Sequence, residues 1–167
     1  MRIPLQGTVS AAQVIQVLPF GNMLFRLDIT GQEVKGMLED GLEATYGAGG
    51  STGPYPYTGG LRYDVNAKAA FGQRVSNIEV RSPATGAWGA LDVGKTYKLF
   101  VLSFNATGGD GYKTLAAVPA ARRLDIGVLD ADVFFSYIEK QNKDAATGLP
   151  VLKRLPVELY STKSFAN

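Results

Sequence analysis

The chain has 167 residues, enough for one compact domain with a hydrophobic core, and 46% apolar against 19% charged residues is a globular rather than a disordered composition. The net charge of only +2, with basic and acidic residues scattered along the chain, excludes a nucleic-acid-binding stripe and an acidic tail. Cysteine and histidine are both absent, which excludes disulfides, thiol catalysis and Cys-ligated zinc, and removes the usual general base and the commonest transition-metal ligand.

The first part of the chain predicts a helix, a strand and a second helix. Ser10–Gln13 and Thr30–Glu33 each have the spacing of a capping box, which predicts the start of a helix. Between them, apolar and polar residues alternate as they do in a half-buried strand. The predicted elements are a helix at Ala11–Val17, a strand at Met23–Ile29, and a helix from Thr30 to about Tyr46 whose apolar stripe is Val34, Met37, Leu38 and Leu42.

The rest of the chain predicts several strands and one more helix. A long Gly-rich loop covers residues 47–60, a turn-rich stretch covers Ser82–Leu91, and Arg122-Arg123 is interpreted as a solvated turn. The predicted strands are Leu61–Val65, Arg74–Arg81, Thr96–Ser103 and a closing strand at Pro156–Tyr160. The last helix is predicted from Ala131 to about Gln141, capped by Asp130, with Val133, Phe134, Tyr137 and Ile138 on its buried face. Because strands and helices do not alternate regularly, we expect one α+β domain over residues 1–167.

The segment Phe104-Asn105-Ala106-Thr107-Gly108-Gly109-Asp110-Gly111-Tyr112 follows a predicted strand and is the first candidate binding motif. Glycines let a backbone approach a ligand, and the carboxylate of Asp110 can accept hydrogen bonds from paired hydroxyls such as those of a ribose. The alternative is a plain surface turn, since Gly and Asp favour turns for backbone reasons alone. The segment lacks the ligand pattern of an EF-hand and the Gly-Lys-Ser/Thr ending of a P-loop.

Leu18-Pro19-Phe20-Gly21-Asn22 is the second candidate motif. A Phe between Pro and Gly suits neither a helix core nor a strand core, so its ring is either presented to a planar base or packed back on the preceding helix as a staple. Tyr55-Pro56-Tyr57 is a possible third aromatic contact, and Arg2 and Arg62 are candidate phosphate contacts.

Together these motifs resemble the C-terminal, substrate-binding domain of the 5′-nucleotidase family, which includes bacterial periplasmic UDP-sugar hydrolases and animal ecto-5′-nucleotidase. The residues that carry the resemblance are "LPFGN", "DITGQEVKGMLE", "TGGLRYDV", "GKTYKLFVLSFNATGGDGY" and "SYIEKQ", so that it covers nearly the whole chain. The resemblance implies a layered α/β sandwich with mixed sheets and with helices on the outer faces.

The resemblance also implies a role for five residues. Phe20 and Phe104 match the two rings that sandwich the nucleobase, and Asn22 matches a residue beside the base. Asp110 matches the ligand of the ribose hydroxyls. Arg2 matches an arginine that closes a Gly-Gly-x-Arg motif about eighteen residues before the first clamp ring and reaches the ribose or phosphate, although the glycines of that motif are absent here.

In this family, two divalent metal ions held by an N-terminal domain catalyse the hydrolysis, and their ligand motifs are absent from this chain. We therefore expect a fragment that is inactive alone, holds no metal or other cofactor, and works with a metallophosphoesterase domain in a periplasmic or secreted parent. Its substrate would be a nucleotide or nucleotide sugar, and neither a signal peptide nor a membrane segment is recognisable. The alternatives are a non-catalytic nucleoside-binding module, or a relative that acts on cyclic nucleotides or other phosphoesters.

Overall fold

The computed structural model describes residues 7–167, which form five helices and seven strands. In chain order these are α1 (Ala11–Val17), β1 (Met23–Thr30), α2 (Gly31–Tyr46), β2 (Leu61–Asn66), β3 (Val75–Arg81), β4 (Trp88–Ala90), β5 (Thr96–Leu102), α3 (Ser103–Ala106), α4 (Lys113–Ala116), β6 (Arg123–Leu129), α5 (Asp130–Glu139) and β7 (Thr162–Ala166). Short 3₁₀ turns occur at Gly109–Gly111, Ala120–Arg122 and Val157–Leu159.

Local signals account for the first three elements. Both capping boxes form: the Ser10 hydroxyl accepts a hydrogen bond from the Gln13 N–H, and the Thr30 hydroxyl accepts one from the Glu33 N–H. Each box satisfies N–H groups that the first turn of a helix leaves without partners. The predicted α1, β1 and α2 are therefore confirmed to within one or two residues.

The strands form two separate sheets. One is antiparallel and three-stranded, in the order β5-β1-β6. The other is four-stranded, in the order β4-β3-β2-β7, with β7 parallel to β2 and the other pairs antiparallel. This arrangement confirms the α+β class, and of the two sheets formed by residues 7–167 the four-stranded one is mixed.

The core lies where α2 meets the two sheets. Leu27 and Ile29 come from β1, and Tyr63 and Val65 come from β2, so both sheets bury residues against the same helix. The members of the predicted α2 stripe are all buried: Val34, Met37, Leu38 and Leu42. Helices α1 and α5 instead pack against each other away from this core, and most of their residues are exposed. Burial of these apolar side chains supplies most of the stabilising free energy.

Two strands were missed in segments that the sequence analysis interpreted as turns. The β4 strand lies inside the turn-rich Ser82–Leu91 stretch. Strand β6 begins at Arg123 and pairs with β1. Most of its residues are exposed, so its own pattern shows no buried face, and its pairing partner is about one hundred residues earlier in the chain. The interpretation of Arg122-Arg123 as a solvated turn is wrong, since Arg122 is bonded to Glu33 and Arg123 to the Ala106 carbonyl.

Two expectations about the C-terminal part are also wrong. Pro156–Tyr160 is not a strand: the Leu159 N–H donates to the Pro156 carbonyl and closes a 3₁₀ turn, and the closing strand is β7. Helix α5 does form, but Val133 and Tyr137 on its expected buried face are exposed. The helix has the amphipathic pattern, yet only one side of it meets the rest of the domain.

Candidate functional site

The pairing of β1 with β5 brings the two sequence motifs to the same end of the three-stranded sheet. Leu24 lies opposite Leu102 in this antiparallel pair, so the residues before β1 and the residues after β5 are neighbours. A hydrogen bond of 3.2 Å from the Met23 N–H to the Ser103 hydroxyl connects the two segments. We call the segments 19–22 and 103–111 the clamp loops.

The ring of Phe20 is presented to solvent. Its side chain is 85% exposed, and Gly21 beside it has φ of 62°, a left-handed conformation that glycine adopts without strain. A ring packed on α1 would be covered, so the staple alternative is wrong. An exposed Phe at the end of a sheet is a suitable surface for stacking a planar ligand.

Phe104 lies in the short helix α3 and is 48% exposed. Its ring rests against the backbone of Gly109, because a Cβ atom placed on that glycine would lie 2.6 Å from three ring carbons. Only glycine leaves room for the ring in this position. Within residues 7–167, neither Phe104 nor Phe20 contacts another aromatic ring.

Asp110 follows in the 3₁₀ turn and is exposed. Its φ of 56° is a left-handed conformation that costs free energy for a residue with a Cβ. In the part of the chain that the structure describes, its carboxylate has no hydrogen-bond or ion-pair partner. The segment thus consists of short helical turns, as the turn interpretation expects. It also leaves the Asp110 carboxylate open as a hydrogen-bond acceptor, in the same segment as Phe104.

A recess of about 420 Å³ adjoins the clamp loops. Its lining includes Leu24 and Leu102, the polar residues Asn105 and Asp110, and the Gly-rich loop at residues 53–59. The recess therefore combines apolar and polar side chains, as small-molecule sites do.

Tyrosine hydroxyls hold the Gly-rich loop in position. The Tyr112 hydroxyl donates to the Pro54 carbonyl at 2.8 Å, and the Tyr63 hydroxyl donates to the Pro56 carbonyl. Burial, together with the nearby charges of Asp110 and Asp40, raises the pKa of Tyr112, and burial raises the pKa of Tyr63, so both hydroxyls keep their protons and remain donors.

Of the other predicted residues, Tyr55 and Tyr57 line this recess and Arg62 does not. The Tyr55 hydroxyl bonds to the Thr162 hydroxyl at 2.5 Å, and Tyr57 is exposed beside it. Arg62 pairs with Glu79 at 2.9 Å and its guanidinium lies over the Trp88 ring, so these contacts already occupy it. Arg2 lies outside the described residues.

Asn22 contacts a residue that the sequence analysis considered only as a helix cap. Its side-chain nitrogen donates to the Asp130 carboxylate at 3.4 Å, and the Asp130 N–H donates to the Asn22 carbonyl at 2.9 Å. Asp130 is only 4% exposed. The only sequence signal for this contact was an acidic residue where a strand meets a helix. That signal does not indicate which distant residue is the hydrogen-bond partner of Asp130.

Two functional features are absent from the described part of the chain. Within residues 7–167 no group of three or more acidic side chains is arranged to hold a metal ion. No helix there is both long and apolar enough to cross a bilayer.

The two sheets and their helices define a domain of the α+β class, and comparison with known proteins identifies its family. Residues 1–117 match the model of the 5′-nucleotidase C-terminal domain. The chain is 36% identical over 152 residues to a protein of Treponema pallidum named "Probable 5′-nucleotidase", covering 89% of this chain and 25% of that protein. It is 34% identical over 140 residues to the NAD 5′-nucleotidase of Haemophilus influenzae, covering 81% and 23% respectively.

Solved structures agree with the sequence comparison. The NAD nucleotidase of Haemophilus influenzae superposes with a TM-score of 0.81 at 29% identity, covering 95% of this chain and 27% of that one. The 5′-nucleotidase precursor of Thermus thermophilus superposes with a TM-score of 0.77, also at 29% identity, covering 95% and 28%. The chain therefore belongs to the 5′-nucleotidase family and corresponds to its C-terminal domain, which confirms the resemblance. It spans about a quarter of the length of these relatives.

Proposed function

We propose that this chain is the nucleoside-binding specificity domain of a 5′-nucleotidase-type hydrolase. The observation that carries the proposal is the pair of exposed phenyl rings on adjoining clamp loops, with an open carboxylate on one of them. In the bound state the base stacks between Phe20 and Phe104, while Asp110 accepts hydrogen bonds from the ribose hydroxyls. Asn22 lies beside the base, and Arg2 reaches the ribose or phosphate.

The expected affinity follows from the size of these interactions. Stacking contributes roughly 1–3 kcal/mol per base, and a hydrogen bond to a charged group contributes about 1.5–3 kcal/mol. Association itself costs several kcal/mol in lost translational and rotational freedom. The stacking and hydrogen-bond contributions less the cost of association correspond to a dissociation constant on the order of 1 mM for a nucleoside binding to this domain alone.

The reaction proposed for the full-length protein is hydrolysis of a nucleotide phosphoester. Two divalent metal ions in a metallophosphoesterase domain would activate water and stabilise the leaving oxygen. The described residues of this chain hold no cluster that fits such ions, so we assign no catalytic step to them. By the same resemblance we propose that the full protein is periplasmic or secreted.

The test is a ¹⁵N NMR titration of the chain with adenosine. We expect saturable shifts near Phe20, Asn22 and Asp110, and at least roughly tenfold weaker binding by the Phe104→Ala variant, because one stacking surface is removed. Phe165→Ala is the matched control, since Phe165 in β7 has the same exposed fraction as Phe104, 48%, and lies outside the clamp loops. Saturable binding that survives Phe104→Ala unchanged, or no binding at several millimolar adenosine, would contradict the proposal.

A second titration examines the ribose contact. Replacing adenosine by 2′,3′-dideoxyadenosine keeps the base and removes both hydroxyls that Asp110 is proposed to bind. We expect weaker binding of the dideoxy ligand to the wild type, and little difference between the two ligands in Asp110→Asn. Equal affinity of the wild type for both ligands would exclude this role of Asp110.

A further inference from the structure

Another recess, which we call the aromatic recess, lies between the C-terminal end of α2, the Gly-rich loop and β7. Its volume is about 510 Å³. Four aromatic rings and three threonines line it: Tyr46, Tyr55, Tyr57, Phe165, Thr45, Thr52 and Thr162. Among the residues that the structure describes, this lining includes no clamp-loop residue and no charged side chain. The aromatic recess is therefore neutral, and its walls are mostly aromatic.

The rings of the aromatic recess contact one another at steep angles. Tyr46 meets Tyr55 with the ring centroids 6.3 Å apart and the ring planes at 88°, and it meets Phe165 at 5.8 Å and 56°. Tyr55 meets Tyr57 at 4.8 Å and 49°. A planar base is sandwiched between parallel rings, whereas tilted rings form a concave surface that fits a puckered ligand with C–H groups on its faces. Such C–H groups are attracted to the electronegative faces of aromatic rings.

The polar side-chain groups of this lining are hydroxyls. Those of Tyr55 and Thr162 bond to each other at 2.5 Å. Within residues 7–167 no hydrogen bond uses the Tyr46 hydroxyl or the Thr52 hydroxyl. Burial raises the pKa of Tyr46, so its hydroxyl keeps its proton. Both open hydroxyls can therefore donate as well as accept a hydrogen bond, as the hydroxyls of a sugar do.

We infer that the aromatic recess binds a neutral pyranose sugar, at a site separate from the clamp loops. A hexose with equatorial hydroxyls has C–H groups on both faces of its ring. One face packs against the tilted rings, while hydroxyls at the edge of the sugar exchange hydrogen bonds with Tyr46 and Thr52. A quaternary ammonium ion also suits tilted aromatic rings, but it cannot use the two open hydroxyls, and the lining supplies no carboxylate among the described residues to balance its charge.

The test is a ¹⁵N NMR titration of the chain with methyl β-D-glucopyranoside, a neutral hexose whose ring substituents are all equatorial. A single sugar makes few contacts, and the cost of association offsets much of their free energy. We therefore expect a dissociation constant on the order of 10 mM. Saturable shifts should occur at Tyr46, Thr52 and Thr162, and the amide signals of the clamp loops should stay unchanged.

Tyr46→Phe is the informative variant, because it removes the open hydroxyl and keeps the ring. The loss of one hydrogen bond should weaken glucoside binding about fivefold. Tyr46→Ala also removes the ring that contacts Tyr55 and Phe165, and it should weaken binding by at least about tenfold. Tyr137→Phe and Tyr137→Ala are the matched controls and should keep the wild-type affinity, because Tyr137 is an exposed tyrosine of α5 that does not line this recess.

Three results would overturn the inference: no saturable binding of the glucoside up to about 100 mM, shifts confined to the clamp loops, or an unchanged affinity in Tyr46→Phe. A parallel titration with tetramethylammonium examines the cationic alternative. Tighter binding of tetramethylammonium than of the glucoside would also overturn the inference. No nucleoside enters these measurements, so their result is independent of whether the clamp loops bind adenosine.

Discussion

Two loop regions of this domain differ in how they use their side chains. Around the core, polar groups of buried side chains are bonded to backbone: the Tyr63 and Tyr112 hydroxyls hold residues 54–56, and Glu39 accepts from the N–H groups of residues 72–75. We call these the anchored loops. In the clamp loops the aromatic side chains are Phe, which has no hydroxyl group to form a hydrogen bond. The Asp110 carboxylate has no hydrogen-bond or ion-pair partner among residues 7–167.

The difference separates side chains that stabilise the fold from side chains that remain available to a ligand. In the anchored loops, removing one partner leaves a buried N–H or C=O group without a hydrogen bond, so substitutions there should reduce stability. At the exposed side chains of the clamp loops, Phe20, Phe104 and Asp110, substitutions should change ligand binding and leave stability almost unchanged. The following predictions are ordered from the largest expected effect to the smallest.

Glu39→Ala should cause the largest loss of stability. The Glu39 carboxylate is 2% exposed and accepts from the N–H groups of Gly72, Arg74 and Val75 at 2.8–3.2 Å. We expect the free energy of unfolding to fall by about 3 kcal/mol or more, because three backbone donors lose a charged acceptor. Urea unfolding measures the change, and the exposed Glu139→Ala is the control. A loss below about 1 kcal/mol would mean that water replaces the carboxylate.

Tyr63→Phe should have the next largest effect on stability. The side chain is fully buried, and the variant removes only the hydroxyl that donates to the Pro56 carbonyl. An unsatisfied buried acceptor costs about 1–3 kcal/mol, measured again by urea unfolding. Tyr137→Phe, on an exposed helix face, should change stability by less than about 0.5 kcal/mol. Equal effects of the two variants would show that the Tyr63 hydroxyl does not stabilise the fold through the Pro56 carbonyl.

Gly109→Ala should weaken ligand binding more than it weakens the fold. The new Cβ would lie 2.6 Å from the Phe104 ring, which must shift from its present position. We expect roughly tenfold weaker adenosine binding, since a displaced ring loses most of a stacking contribution of about 1–3 kcal/mol. Gly89→Ala is the control, because a Cβ there meets no atom within 4 Å. Unchanged adenosine affinity in Gly109→Ala would show that the ring position does not matter for binding.

The smallest expected effect is a loss of stability in acid through Glu33. The Arg122 guanidinium, with help from Thr30, lowers the pKa of Glu33 from its ordinary 4.5 to about 2. A lowered pKa in the folded state adds stability that is complete above about pH 4.5 and is lost as the pH falls through about 2. The effect is small because both side chains are partly exposed.

Thermal melts from about pH 5.5 to about pH 2.5 measure this effect. The difference in Tm between wild type and Glu33→Gln should shrink as the pH falls below about 4.5, because the unfolded wild type then binds a proton that the folded Glu33, with its lowered pKa, does not. Glu139→Gln, in an exposed position, should show no such convergence. A Tm difference that stays constant over this range would exclude the ion pair as its source.

Much of the fold could be predicted from the sequence where the signals are local. The capping boxes at Ser10 and Thr30 and the α2 stripe predicted α1 and α2 correctly, because those interactions span only a few residues. Strand β6 and the exposed faces of α5 were not predictable in this way. Their environment depends on which distant segment packs beside them, and an exposed strand carries no alternating pattern of its own.

The candidate site likewise has features that the sequence predicts and contacts that only the structure shows. Phe20, Phe104 and Asp110 were recognisable as motif positions, and their roles in binding stay predictions. The sequence did not show that the Phe104 ring packs against Gly109. It also did not show that Asn22 pairs with Asp130. The second of these contacts joins positions 108 residues apart in the chain.

The sequence by itself determined the composition class and the capped helices, because these depend on composition and on residue types within a short window. Motifs spread along the chain determined the family, and they select Phe20, Phe104 and Asp110 as candidate ligand contacts. Only the tertiary structure decided which side chains are already bonded and which remain open to a ligand. The antiparallel pairing of β1 with β5 brings the two clamp loops together, and the packing of the core fills the hydrogen-bonding capacity of the anchored loops. Neither result is encoded within one segment, since both arise from backbone pairing and burial between distant parts of the chain.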